Sequence, residues 1–283
     1  MIELPVATLP VAAAAGLSAE DRALLRDAVL RLEQASLAQR LSRALGAQIA
    51  RMVKFVPEPI AASVDKGAEA AIRAALRVAL ASLGAGRRLQ RRRFHKTVVA
   101  MSGAAGGAFG LASLPLELPF STIVMLRSIA AIAQAEGENL ASPEAAFACL
   151  QVFALGAGGE QTFLSESSYF AVRGLLAKSV SEATRFVVER GLAEEGAPVI
   201  LRLVSQIAPR FGVVVSQKIA AQAVPLIGAA GGAAINYAFI DHFQSIARGH
   251  FTVRRLERTY GPEPVRQEYE RLRQELGLGR GES

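Results

Sequence analysis

The sequence has a single cysteine, no tryptophan and few aromatic residues among its 283 residues. One cysteine cannot form a disulfide within the chain or supply a zinc finger, which fits a reducing compartment. Cys149 lies in the apolar run AFACLQVFAL, and this setting predicts a small buried hydrophobic side chain. The scarcity of aromatic residues and the absence of recognition-module signatures argue against nucleic-acid binding, despite a net charge of +7.

The common catalytic and phosphate-binding motifs are also missing. The chain contains no GxxxxGK[ST] loop, no GxGxxG fingerprint, no HExxH and no GxSxG. Its glycines occur instead in two copies of GAAGG, at 103–107 and 228–232, a spacing that lets helices approach closely. We therefore predict no cofactor, no bound metal and no catalytic residue, and we favour a protein that is not an enzyme.

The composition predicts helices rather than sheets, because alanine and glycine dominate an apolar fraction of about half the chain. We predict an all-α, single-domain multi-helix bundle with the two Gly/Ala-rich apolar helices at its centre. Residues 1–17 are assigned to an N-terminal extension, 18–261 to the helical domain and 262–283 to a charged C-terminal helix or tail. The first residues lack the basic region of a signal peptide, so we expect a protein that is not secreted.

Prolines and capping residues predict where helices begin and end. Ser18 and Ser142 precede acidic first turns and are expected to be N-caps. Pro119 is expected to open a new helix after a bend that carries Glu117, and Pro209 to interrupt a short helix that begins near residue 199.

The densest positive cluster precedes a long apolar stretch. This basic cluster consists of Arg87, Arg88, Arg91, Arg92, Arg93 and Lys96. In the stretch that follows, Thr97 to Ala135, the only charges are Glu117 and Arg127. An anionic cytoplasmic leaflet attracts such a pattern, at about 1 kcal/mol per basic side chain. The alternative is an ordinary solvated helix face.

A second apolar run, Ile219 to Ile240, is long enough to cross the roughly 30 Å of a bilayer core. It contains Pro225 and polar residues, and its alanines and glycines contribute little transfer energy. We therefore favour a buried central helix or a re-entrant insertion over a transmembrane helix. The expected location is cytoplasmic, peripheral or partly inserted at the inner membrane.

Several polar residues stand in apolar surroundings and are candidates for buried positions. They are Glu117, Arg127, Lys218, Asn236, Asp241, His242 and His250. Glu117 is enclosed by LPL and LPF, and a structural ion pair with Arg127 or Lys218 is the favoured interpretation. His242 and His250 would lie about 80° apart on one helix, so a shared metal would need a third ligand from elsewhere, such as His95 or Glu117. Ordinary polar contacts are the favoured interpretation for both histidines.

Three segments carry a resemblance to a known family: GGAFGLASLPLELPFSTIVMLRSIAAIAQAEGE, YFAVRG, and the line from QKIAAQ to ERTYG. Over Leu83 to Gly261 the chain resembles the EcsC-like family of bacterial proteins, most specifically in PLIGAAGGAAIN and HF-x₃-AR-x-HF. The resemblance implies a bacterial, cytoplasmic or membrane-peripheral helical protein and transfers no catalytic residue. The motif positions are Glu117, Arg127, Tyr169, Arg173, Asn236, His242, Arg248 and His250.

The leading hypothesis is a non-enzymatic protein that associates with an anionic membrane surface or with lipid and other apolar ligands. The family takes its name from a protein encoded beside an ABC transporter, which implies a membrane transporter as a candidate partner. The alternative is a metal-dependent hydrolase that uses His242, His250 and an acidic side chain.

Overall fold

The computed structural model describes residues 16–33, 37, 58–84, 114–157, 168–191, 197–222 and 228–278. These residues form eight helices and no strand, so the all-α prediction is confirmed. The helices are α1 (Ala19–Glu33), α2 (Glu58–Gly84), α3 (Leu114–Ala135), α4 (Pro143–Leu155), α5 (Ser168–Arg190), α6 (Pro198–Gln222), α7 (Gly228–Tyr260) and α8 (Pro262–Glu275).

The predicted helix caps are present. The Ser18 Oγ accepts a hydrogen bond from the backbone N–H of Asp21 at 3.1 Å, and the Ser142 Oγ accepts one from Ala145 at 3.2 Å. Gly191 follows α5 with a φ of 79°, a left-handed conformation that favours glycine after a helix. Local sequence therefore determined these boundaries.

Both helix breaks predicted at prolines are wrong. Pro119 lies in the second turn of α3, where it removes one hydrogen bond, and α3 runs without a break from Leu114 and includes Glu117. Pro209 lies inside α6, and both it and Ser205, the residue four positions earlier, are exposed. Water can therefore bind the Ser205 carbonyl that lacks an N–H partner, while buried neighbours hold α6 together.

The longest helix, α7, is the centre of the described fold. Its 33 residues span about 50 Å at 1.5 Å per residue, and it packs against α1, α3, α4, α6 and α8. The second GAAGG copy forms its first turns. The first copy, at 103–107, lies outside the described residues, so the packing of one copy on the other stays a prediction.

Phenylalanines fill the space between α4, α6 and the first half of α7. Phe153, Phe211, Phe239 and Phe243 have ring centroids between 5.2 and 6.4 Å apart, in tilted and edge-to-face arrangements that aromatic pairs prefer. An added Cβ at Gly156, just after α4, would overlap the Phe243 ring. Glycine is therefore needed there for close approach. Cys149 on α4 is buried, as predicted, and burial raises its pKa to about 12.

Within the part of the chain that the structure describes, two helices are long and apolar enough to cross a membrane. They are α3, over Leu118–Ala135, and α6, over Pro198–Ala221. Only 33% of the α3 window is buried, against 50% of the α6 window. The apolar run from Ile219 to Ile240 is shared between two helices, because α6 ends at Gln222 and α7 begins at Gly228.

Candidate functional site

The predicted membrane-binding residues lie outside the part of the chain that can be described. The basic cluster from Arg87 to Lys96 falls between α2 and α3, and so does His95. Glu117 lies in the first turn of α3, but its side chain is also outside the described set. The proposed ion pair of Glu117 with Arg127 or Lys218 therefore stays a prediction, and Arg127 itself is half-buried on α3.

The remaining polar candidates differ in burial. Lys218 is buried on α6, and its ammonium group lies 5.0 Å from the centre of the Phe239 ring. Asp241 is half-buried. The prediction that Asn236 is buried is wrong, because Asn236 lies on the solvent side of α7 beside Tyr237, which is 74% exposed. Over residues 235–240, α7 therefore has one buried face and one exposed face.

His242 is fully buried in the aromatic half of α7. Its Nε2 lies 2.7 Å from the carbonyl oxygen of Gly156, to which it donates a hydrogen bond. Its ring also lies edge-on to Phe243, with centroids 5.3 Å apart. A backbone carbonyl that follows α4 is an ordinary partner for a buried imidazole, so His242 ties the end of α4 to α7.

His250 is also fully buried, but side chains surround it rather than backbone. Its Nδ1 lies 3.0 Å from the hydroxyl oxygen of Tyr169, at the start of α5. Arg173, one turn later on α5, donates to that same hydroxyl at 3.1 Å and to both carboxylate oxygens of Glu257 at 2.8 and 3.0 Å. We call Tyr169, Arg173, His250 and Glu257 the tyrosine–histidine cluster.

The hydrogen bonds of the tyrosine–histidine cluster indicate which ring nitrogen of His250 carries the proton. Arg173 can only donate, so the Tyr169 oxygen accepts from it and directs its own hydrogen to the Nδ1 of His250. In this arrangement His250 is neutral with its proton on Nε2, a buried atom that has no hydrogen-bond partner among the residues the structure describes. Burial, and then the charges of Arg173 and Arg254, lower the pKa of His250 well below its usual value.

A second tyrosine covers the cluster. Tyr269 of α8 is fully buried and stacks on Tyr169, with ring centroids 5.5 Å apart and an interplanar angle of 25°. Its hydroxyl donates to Glu33, at the end of α1, at 2.8 Å, and Glu33 also accepts the backbone N–H of Tyr169 at 3.3 Å. Burial, followed by the charge of Glu33, raises the pKa of the Tyr269 hydroxyl.

An ion-pair network lies further along α7, after His250. Arg254, Arg255 and Arg258 of α7 bind the acidic turn between α3 and α4. Arg254 contacts the largely buried Glu138 at 2.8 Å, and Arg255 contacts Glu136 at 2.8 Å. Burial alone would raise the pKa of Glu138, but hydrogen bonds and charge from Arg254 and Arg258 outweigh it, so the pKa is lowered. This network fastens the turn to α7.

No metal centre is formed by the residues that the structure describes: they contain no group of three or more His, Cys, Asp or Glu side chains arranged to hold an ion. His242 reaches the end of α4, whereas His250 reaches the start of α5. The two imidazole rings therefore bind different helices and do not share a partner. Nothing in this part of the chain favours the hydrolase hypothesis.

The motif positions of the sequence included Tyr169, Arg173 and His250 of the tyrosine–histidine cluster but not Glu257, and residue spacing offered a further signal. Tyr169 and Arg173 are four residues apart on one helix face, and His250 and Glu257 are seven apart on another. A polar pair on one face of each of two helices indicates that these faces bind partners on other helices. Which faces meet depends on the tertiary structure.

Four of the motif residues thus form contacts between helices, namely Tyr169, Arg173, His242 and His250, and the comparisons with known proteins agree with the motifs. A family model described as EcsC protein family matches residues 22–256. The chain belongs to the EcsC protein family. Neither a curated protein nor a solved structure matches the chain. The EcsC family match covers α2 to α6, most of α1 and most of α7, and it ends before α8.

Proposed function

We propose that this EcsC family protein associates with anionic membrane surfaces through the segment between α2 and α3. Residues 85–113 contain six basic and no acidic side chains, so six of the seven net positive charges of the chain belong to this one stretch. The rest of the protein is close to neutral. An electrostatic attraction to a membrane would therefore act at one place on the molecule.

The observation that carries the proposal is the position of α3. It begins at Leu114, directly after this positive segment, and it is the less buried of the two helices that are apolar enough to enter a bilayer. Phe120, Ile123 and Val124 on α3 are only partly buried. Only the uncharged residues 97–113 separate the positive charge from the helix with incompletely buried apolar surface, and together the two give more stable membrane binding than either gives alone.

Each basic side chain near an anionic surface contributes about 1 kcal/mol, and salt screens this contribution. Replacing Arg91 and Arg92 by Gln should therefore weaken binding to acidic vesicles by about 30-fold. The measurement is flotation of the full chain with vesicles of phosphatidylcholine alone and with vesicles that also contain phosphatidylglycerol. We expect recovery with the acidic vesicles only, and less recovery as salt is raised.

The matched control replaces Lys178 and Arg185 by Gln. Both lie on α5 and are exposed, at 82% and 77%, so the net charge falls by the same two units without touching the segment between α2 and α3. If this variant loses as much binding as the Arg91 and Arg92 variant, net charge alone explains the attraction and the proposed site is wrong. Equal recovery with neutral and acidic vesicles, or none with either, would also overturn the proposal.

A transporter partner is the further proposal that the family name suggests. A protein receptor would give recovery on membranes that contain the transporter but not on protein-free vesicles or on membranes from cells that lack it. Flotation and membrane pulldown therefore separate lipid binding from binding to a transporter.

A further inference from the structure

Helix α8 is attached to the rest of the fold by one narrow stripe. Of its 14 residues, only Val265, Tyr269, Leu272 and Arg273 are buried, and they recur at helical spacing on one side. The stripe packs on α1 and α7. So small an apolar contact makes α8 a candidate for local opening while the rest of the protein stays folded.

One fully buried residue of this stripe, Tyr269, lies over the tyrosine–histidine cluster. Tyr269 stacks on Tyr169 and also meets Phe170 edge-on, with ring centroids 5.0 Å apart. Tyr169 is only 2% exposed with α8 in place. Removal of α8 would uncover one face of the Tyr169 ring, directly above its hydrogen bond to His250.

Besides the hydrogen bond from Tyr269 to Glu33, partly exposed ion pairs and a cation–π contact attach α8. Arg22 of α1 contacts Glu268 at 2.5 Å and Glu275 at 3.1 Å, and its side chain is 41% exposed. Arg266 lies over the Phe170 ring at 5.6 Å. Ion pairs with this exposure are weak and are screened by salt. The attachment of α8 should therefore loosen as ionic strength rises.

The joint between α7 and α8 permits such movement. α7 ends at Tyr260, Gly261 has a φ of 88°, and α8 begins at Pro262. Glycine adopts this left-handed conformation and many others at little cost, so rotation at Gly261 need not disturb the hydrogen bonds of α7. α8 also lies beyond the EcsC family match, which ends at residue 256.

From these four observations we propose that α8 is a releasable cap: it undocks as a unit and uncovers Tyr169 and Phe170 while the other described helices stay folded. The closed cap keeps the Tyr169 ring out of contact with water. The open cap presents an aromatic recess between the end of α1 and the start of α5. The Tyr269 ring fills this recess in the closed state.

Native-state hydrogen exchange of the full chain, read by mass spectrometry, tests the cap. We expect the amides of 265–275 to exchange faster than the central amides of α7 and to accelerate further in high salt. Arg22→Ala removes both ion pairs and should accelerate exchange in α8 by about 2- to 30-fold, without changing the centre of α7. Arg31→Ala is the matched control, because Arg31 lies on the same helix and its ion pair with Asp27 stays within α1.

Tyrosine nitration gives a second readout that does not depend on backbone opening. In the Arg22→Ala variant, the rate of Tyr169 nitration should rise by the same factor as the rate of amide exchange in α8. The exposed Tyr237 serves as an internal reference that should not change. The proposal is overturned if α8 exchanges only together with α7, or if α8 exchanges faster while Tyr169 stays protected.

Discussion

The two halves of α7 bury a histidine in opposite ways. His242 lies among phenylalanines and donates to a backbone carbonyl, that of Gly156. His250, eight residues later, is equally buried but depends on Tyr169, which is itself held by an arginine–glutamate pair. The same His-Phe dipeptide therefore sits in a dispersion-dominated core in one half and in an ionic, hydrogen-bonded cluster in the other.

This difference shows what each half contributes. In the aromatic half, tight packing supplies the stability, and polar atoms need only a local partner. In the ionic half, which carries His250 and Glu257, each polar group depends on a hydrogen bond from the next. Removing one group therefore leaves another buried and unpaired. Stability should therefore respond to volume in the first half and to charge and pH in the second.

The largest effect is expected from Phe243→Ala in the aromatic half. Phe243 contacts three other phenylalanine rings and lies against Gly156, so truncation leaves a cavity and should lower the free energy of unfolding by about 3–5 kcal/mol. Urea denaturation measures this change. Tyr237→Ala, an exposed aromatic residue on the same helix, should change stability by less than about 0.5 kcal/mol. Similar losses for the two variants would contradict a packed aromatic half.

Arg173→Ala should have the next largest effect. It leaves Glu257, whose side chain is 14% exposed, without its ion pair and removes a donor to Tyr169, at a cost of about 2–3 kcal/mol. Arg185→Ala on the exposed face of α5 is the control, and it should cost less than about 0.5 kcal/mol. The double variant with Glu257→Gln should lose less than the sum of the single losses. Strict additivity would show that the pair is not coupled.

The smallest effect concerns pH. The pKa of His250 is lowered on folding, so between that value and its unfolded pKa of 6.5 the unfolded chain binds a proton that the folded chain does not. Stability is therefore fully present above pH 6.5 and falls below it, by at most about 1.4 kcal/mol per pH unit for this residue. Urea midpoints measured from pH 7.5 down to pH 5 check this.

The control for the pH prediction is His250→Asn, whose amide oxygen can replace the Nδ1 acceptor. The difference between the wild-type and variant slopes isolates His250, because other histidines contribute equally to both. Glu138 does not interfere in this range, since its lowered pKa makes its contribution fall only below the unfolded value of 4.5. Parallel wild-type and variant curves would show that His250 is protonated as readily in the fold as in the unfolded chain.

Much of the fold could be predicted from the residues, because it depends on neighbours in the sequence. The caps at Ser18 and Ser142, the all-α class and the burial of Cys149 were all predictable. The breaks at Pro119 and Pro209 were not, because the cost of one lost hydrogen bond is offset by packing from other helices. The candidate site was predictable only as separate motif positions, and Asn236 and Arg248 are exposed rather than joined to it.

The sequence by itself determined where helices form, which of their faces are apolar and where the positive charge is concentrated, since these depend on residue type and spacing along the chain. Only the tertiary structure decided that His242 meets a backbone carbonyl while His250 meets Tyr169, and that Tyr269 of α8 closes over Tyr169. Hydrogen bonds act over about 3 Å. Residues 81 to 100 positions apart therefore acquire their roles only when their helices come into contact.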